Sequence, residues 1–355
     1  MWSEPRRLIA SAAGVGLALM LILLLDGLWA GIDEKTTLYE DNSGADLYIA
    51  QPGAKNLFST ISVIPSATVD RVRADPDVKW AAPVRGLFSI MELHDTKVPA
   101  YLIGWEPGQR GGPWSVTSGR VPAADDEIAI GQVLAQRHGV QIGDRLDVLG
   151  RPFTVVGIAD ADMFMSSFVF MTHSATDLLL KAPGTTSFVL VGTDHPDQVR
   201  ARLAATGVAV LNRDELKAND LAVIARPFSV PLRVMVGVAF IVGSLVIALT
   251  AYSTIVEHRR EYGILKAIGA DRRRLYRLAI TQTISLAGIG LVTGAVFFLA
   301  GRGLILWMRP QFAVVLTATV VIRAVVAALA MGLVAAIIPA RRLARLDPAT
   351  AYRGG

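Results

Sequence analysis

Cysteine is absent from the 355 residues. That excludes disulfides, thiolate metal sites and a cysteine nucleophile, and it leaves the compartment open. Charge is scarce too: Asp, Glu, Lys and Arg make up 18% of the chain, against roughly 25% in an ordinary soluble domain. The five histidines, His94, His138, His173, His195 and His258, show no metal-ligand spacing. A Gly-x-Ser-x-Gly elbow is missing, as is a G-x-x-x-x-G-K-[ST] loop, so the chain does not bind ATP in the P-loop manner. With no distinctive carboxylate pair either, catalysis on this chain is not expected, and no catalytic or metal-binding residue is assigned.

Apolar residues are abundant: 52% by type, with a mean hydropathy of +0.46. Four stretches are long enough to cross a bilayer, which takes about 20 apolar residues. They run over 8–28, 234–256, 278–300 and 320–338. The first is read as a retained span and not a signal peptide. Its apolar run is longer than an h-region, and Leu28-Trp29-Ala30 is a poor cleavage site.

The charge is segregated. Residues 31–232 hold 18 Lys/Arg against 24 Asp/Glu, and the remainder holds 17 against 6. Basic residues cluster beside the spans: Arg6 and Arg7, the 257–277 loop with Arg259, Arg260 and Arg272–Arg274, and the tail with Arg341, Arg342 and Arg345. By the positive-inside rule both termini and that loop are cytoplasmic, and residues 31–232 lie outside. Basic charge placed this way marks membrane topology, and no nucleic-acid partner is expected.

The outer block reads as mixed α/β. Strands are expected at 127–131, 145–149, 153–158, 167–171, 187–192 and 47–50, and helices at 132–138, closed by Gly139, and 196–203. Inside the membrane, Gly290 and Gly294 form a GxxxG on the third span, and Gly14 and Gly16 lie on the first. Close helix packing and dimerisation both fit such spacing.

The loop from Glu257 to Ala270, E-H-R-R-E-Y-G-I-L-K-A-I-G-A, predicts a short amphipathic helix with Ile264, Leu265 and Ile268 on one face. Such a helix either lies on anionic lipid or docks in a groove on a soluble partner. Asp271 is placed to cap the helix that follows.

The loop resembles the FtsX-type permease domain of ABC transporters. The tail from Pro339, P-A-R-R-L-A-R-L-D-P-A-T-A, resembles the ending of the same family. The stretch Glu127 to Ile158, with E-I-A-I-G, A-Q-R-H-G-V-Q-I-G-D and F-T-V-V-G-I, resembles the core of the MacB-type periplasmic domain. Size and layout are most similar to the HrtB/DevC group of half-size exporter permeases. One departure is Gln282, where many members carry an acidic residue.

The resemblance implies an α-helical membrane protein with four transmembrane helices plus an α/β extracytoplasmic domain of MacB periplasmic-core type, in a bacterial cytoplasmic membrane. Three regions follow: 1–30 with the first span, 31–232 outside, and 233–355 as the permease domain. Glu257, Arg260, Glu261, Gly263, Ile264, Leu265, Lys266, Ile268 and Gly269 would form the coupling helix against a separate cytoplasmic ATPase. That ATPase would bind the ATP and magnesium, so no cofactor is expected here. Two copies of the chain would pair. The output would be efflux of an amphiphile (haem, lipid, lipoprotein or drug), or else FtsX-type signalling to an external cell-wall hydrolase. Substrate candidates are Asp26, near the outer end of span one, and Met163, Phe164 and Met165. Asp26 either sits among headgroups or rims a site for an amphiphile. Met163, Phe164 and Met165 belong either to a core strand with Phe168, Phe170 and Met171 or to an exposed loop after Asp160-Ala-Asp162 that touches lipid or cargo.

Overall fold

A computed structural model describes residues 5–93, 96–267, 271–308 and 312–345. In chain order, α1 (Pro5–Thr36) and α2 (Leu38–Ser43) precede β1 (Leu47–Ala50), β2 (Ile64–Pro65), α3 (Ala67–Arg73), β3 (Val78–Leu93) and β4 (Thr96–Trp105). Next come β5 (Val116–Gly119), β6 (Glu127–Gly131), α4 (Gln132–His138), β7 (Arg145–Val148), β8 (Arg151–Ala159), β9 (Asp162–Met163) and β10 (Ser166–Thr172). Then follow α5 (His173–Leu180), β11 (Thr185–Thr186), β12 (Phe188–Thr193), α6 (Pro196–Ala204), β13 (Ala209–Asn212) and α7 (Arg213–Ile224). Last are α8 (Arg226–Glu257), α9 (Arg259–Ala267), α10 (Arg272–Met308) and α11 (Ala318–Arg345).

The chain divides into two units. One comprises Met1–Gly31, Phe228–Arg309 and Val314–Gly355, the other Ile32–Pro227 with Pro310–Ala313. Helix α8 begins at Arg226 and runs through Pro231, so residue 232, where the sequence reading ends the outer region, lies inside it. Pro227 sits in the first helical turn, where a missing N–H costs nothing.

In the helical unit, α1, α8, α10 and α11 are long and apolar enough to cross a membrane. They run for 32, 32, 37 and 28 residues, beyond the spans read from hydropathy. Their shared seam is built from Val15, Leu19 and Ile22 of α1, Ala239 and Ile247 of α8, Leu286 and Ala287 of α10, and Ala328 and Met331 of α11. Alanine is frequent there because small side chains let helices approach where lipid offers no hydrophobic drive. Leu245, Leu249, Val292, Val296, Ile322 and Val326 point outward, as lipid-facing residues do. The connection before α11 is tied down by polar bonds. Arg302 Nε donates to Val314 O at 2.8 Å, and Val315 N donates to Gly27 O at 3.0 Å.

The α/β unit is built on one mixed sheet of order β13-β1-β12-β3-β4-β10-β6-β8-β5, with β7 beside β8 and β9 beside β10. The β4–β10 and β6–β8 pairs are parallel. Strand β10 shows why both faces are filled. Phe168 and Phe170 enter one apolar cluster, while Val169 and Met171 enter another on the opposite face. Helix α4 ends as expected, with Gly139 in the left-handed region at φ 66°. Helix α7 starts on a capping box in which Asn212 Oδ1 accepts from Glu215 N at 2.8 Å and Glu215 Oε2 accepts from Asn212 N.

The long β3–β4 hairpin, paired from Val84↔Trp105 to Leu93↔Thr96, has no counterpart in the sequence reading. Pro83, Pro99, Arg85, Glu92 and Lys97 interrupt its apolar alternation.

Phe168 is fully buried, and its ring meets Tyr39, Phe58, Tyr101, Trp114 and Phe170 at centroid distances of 5.8–6.1 Å. Phe168→Ala is expected to destabilise this unit by about 3–5 kcal/mol. Thermal unfolding of the solubilised full chain, followed by tryptophan fluorescence, would show it. A loss below about 1 kcal/mol would mean that the aromatic cluster is not the core described.

Candidate functional site: the helix between the second and third spans

Helix α9 is nine residues long, about 14 Å at the α-helical rise. Only the turn residue His258 separates it from α8. Tyr262 turns inward and is buried with Ile255 of α8 and Leu275 of α10. The Gln282 amide on α10 donates to the Tyr262 hydroxyl at 2.9 Å. One aromatic side chain therefore pins α9 to both neighbouring helices.

Ile264 lies two residues on, about 200° around the helix from Tyr262. Ile264 and Leu265 are 41% and 40% exposed. Charged residues border them: Arg260 and Glu261 are exposed, and His258 Nδ1 lies 3.1 Å from Glu261 Oε1. Glu257 is exposed at the end of α8 and stands 3.5 Å from Ser253 Oγ. Asp271 caps α10 by accepting from Arg273 N. Ile268 and Gly269 lie outside the described residues, and of Gly263 and Lys266 only the helical backbone is described. The sequence reading singled out Gln282 only as a departure from the family pattern, and it missed Tyr262, Ile255 and Leu275, which meet only through contacts among three helices.

The membrane glycines make contacts within one chain. A Cβ on Gly290 would overlap Val15 Cγ1 of α1. A Cβ on Gly294 would stand 2.9 Å from Gly16 O, and one on Gly16 would stand 2.9 Å from Thr293 Cγ2. Gly14 faces Val246 of α8. Of the two readings of the GxxxG, the structure places packing of α10 on α1 at these positions.

Asp26 is half-buried on α1, where the charge of Arg323 on α11 acts on it. Of the two readings of 163–165, the core one holds for two of the three residues. Met163 and Phe164 are buried, because β9 folds back on β10 with Met163 opposite Ser166, and Phe164 packs edge-on to Phe312 at 6.3 Å. Met165 alone is exposed, at the turn with φ 60°.

A cleft of about 600 Å³ in the α/β unit is lined by Arg73, Lys79, Trp80 and Arg110. Lys79 pairs with Asp194 at 2.6 Å, Arg73 lies 3.7 Å from Glu106, and Arg110 stands over the Trp80 ring at 5.7 Å. Its cations are largely neutralised in place. Among the described residues no three His, Asp or Glu side chains gather as a metal site would require. Tyr262 ties α9 to α8 and α10, and Ile264 and Leu265 stand exposed on α9.

Residues 8–206 match the MacB-like periplasmic core domain family, and residues 233–348 match the FtsX-like permease C-terminal family. An uncharacterized ABC transporter permease of Mycobacterium tuberculosis strain H37Rv is 27% identical over 99% of this chain and 97% of its own length. The pyoverdine export ATP-binding/permease protein PvdT of Pseudomonas syringae pv. tomato is 23% identical over 99% of this chain, which spans 58% of that protein. Among solved structures, the extracellular domain of the ABC-type transporter YknZ from Gram-positive bacteria aligns over 47% of this chain and all of that one. The TM-score is 0.38 and the identity 15%.

Proposed function

The chain belongs to the family of ABC transporter permeases that carry a MacB-like periplasmic core domain and an FtsX-like permease domain, and on that premise we propose that it is the transmembrane subunit of an ATP-driven exporter. The observation that carries this reading is the exposed Ile264–Leu265 pair on a helix anchored at Tyr262. In a groove on a partner, two such side chains would be buried. Tyr262, locked against Ile255 and Leu275, would stop α9 from sliding when the partner moves.

In this reading the partner is an ABC ATPase, and the 355 residues carry no phosphate-binding loop of their own. It binds the ATP and magnesium. Two permease chains pair, each on one ATPase subunit. ATP-driven closure pulls α9, and α8 and α10 transmit the pull. Residues 32–227 form the extracytoplasmic domain, both termini are cytoplasmic, and the cargo is an amphiphile, with Met165 and Asp26 the exposed and half-buried groups offered to it. The export named for PvdT supports this output over signalling.

Because the chain has no cysteine, single-cysteine labelling tests both topology and docking. Met165→Cys should react with an impermeant maleimide on intact protoplasts, and Ile264→Cys should react only after the membrane is opened. A cysteine-to-amine crosslinker on Ile264→Cys should then capture the ATPase subunit. Labelling of Ile264→Cys from outside would overturn the topology, and capture of lipid alone would overturn the docking role.

A further inference from the structure

Two acidic residues far apart in sequence meet in the α/β unit. Glu40 on α2 and Asp220 on α7 are both fully buried, and their carboxyl groups lie against each other. Asp220 is well supplied with donors. Leu57 N stands 3.1 Å from both its oxygens, and Phe58 N stands 3.3 Å from Oδ1. Glu40 is not supplied: no N–H or O–H elsewhere in the described chain reaches either of its oxygens.

An ionised Glu40 would be a bare buried charge beside a second one, which burial strongly disfavours. The arrangement is satisfied when Glu40 keeps its proton and donates it to the Asp220 carboxylate. Burial pushes the Glu40 carboxyl well above its ordinary value, with the Asp220 charge adding to the rise, and burial lifts Asp220 to about 6.

The groups facing the pair do not compensate it. Tyr39 donates to Gly111 O at 2.9 Å, and the Tyr48 hydroxyl lies 2.6 Å from Ser43 Oγ and 3.4 Å from Glu40 O. Tyr101 donates to Leu57 O at 2.5 Å. On α7, Arg213 bonds Ala45 O at 2.6 Å and stands 3.6 Å from Asp46, while Lys217 pairs with Asp41. Lys55, on the facing loop, is exposed.

The location gives the pair its meaning. One residue, Thr37, separates α2 from the first membrane helix, and one residue, Ala225, separates α7 from the second. Glu40 and Asp220 thus fasten the segment entering the outer domain to the segment leaving it.

We propose that Glu40 and Asp220 form a proton-dependent clasp between these two connectors, closed while the pair shares a proton and opened when that proton is lost, so that external pH regulates how the outer domain follows the membrane helices. The regulatory role rests on the permease reading above; the clasp does not. Both carboxyls are raised in the folded state, so their stabilisation is complete at low pH and is lost as pH rises through the folded titration. Loss of the Asp220 proton near 6 gives up part of that stabilisation but leaves one hydrogen-bonded monoanion, and the clasp stays closed. The step above it, at Glu40, leaves two buried negative charges and opens the clasp.

The test uses the full chain in lipid nanodiscs. Asn42→Cys on α2 and Ala218→Cys on α7 carry spin labels, both sites being exposed, and pulsed dipolar spectroscopy reads the distance between them. At about pH 6 a single narrow distance is expected, and at about pH 9 a broader and longer one should dominate. Glu40→Gln, whose amide donates to Asp220 without a proton to lose, should stay narrow at both. Asp220→Asn, which removes one charge, should do the same, and it serves if the first variant folds poorly. A distance that ignores pH in the parent, or broadens alike in both variants, overturns the clasp. ATP-driven export by parent and Glu40→Gln at the two pH values separates the readings. A responsive clasp with export unaffected by Glu40→Gln overturns the regulatory role. Absence of ATP-driven export overturns the permease reading while the distances still decide the clasp.

Discussion

Leu265→Asp is expected to lower ATP turnover by the assembled transporter at least about tenfold, with the permease still folded. Leu265 is 40% exposed on α9. Burying a leucine in a partner groove stabilises a complex by about 1.5–3 kcal/mol. A carboxylate in the same groove adds a desolvation penalty, and each 1.4 kcal/mol is about a tenfold change in affinity. Tyr262 and its contacts with Ile255, Leu275 and Gln282 are untouched by the change, so α9 should keep its place. The measurement is ATPase activity of the co-reconstituted complex, with gel-filtration elution of the variant permease as the control for folding. Turnover above half that of the parent would remove Leu265 from the docking surface.

Gly290→Leu is expected to be the most damaging single change in the membrane unit. Any Cβ at 290 overlaps the Val15 side chain, and Val15 is fully buried on α1. Relief requires α10 to move off α1, which would also part Gly294 from Gly16 O and Gly16 from Thr293. Overpacking of this kind typically costs about 1–3 kcal/mol, and a seam of several close contacts multiplies the damage. Gly288→Leu is the matched control: it is one half-turn away on the exposed face, and a Cβ there meets nothing within 4 Å. Thermal scans of both variants in detergent should show a clear fall in midpoint for Gly290→Leu and little for Gly288→Leu. Equal behaviour would place the GxxxG outside the intrachain seam and leave it free for contact with a second chain.

Local pattern carried much of the fold. The four spans and the run from Glu127 through α4 to Ile158 are where the apolar runs, alternation and turn residues put them, because each depends on neighbours close in sequence. The β3–β4 hairpin was hidden by Pro83 and Pro99, which read locally as breaks but sit in strands held by long-range pairing. Met163 and Phe164 follow two aspartates, so core strand and surface loop both fit them locally; closure of β9 on β10 and the Phe312 ring bury them.

The candidate site was legible in part. The exposed face of α9 follows from its helical spacing, but its anchor does not. Tyr262 is held by residues on two other helices, and no single-sequence periodicity links them. The same holds for Glu40 and Asp220, which become neighbours only when α2 and α7 meet. The glycine spacing predicted close packing and left the partner helix open; three of the four glycines turn out to share one α1–α10 contact.

The most direct test of the central claim is affinity capture of the full chain from its native membranes, with mass spectrometry of everything that co-purifies, for the parent and for Leu265→Asp. The account predicts a P-loop ATPase in near-equal amount with the parent and strongly depleted with the variant. A parent sample without any such ATPase, or equal recovery from both chains, would contradict the assignment of α9 as the docking element of an ATP-driven permease.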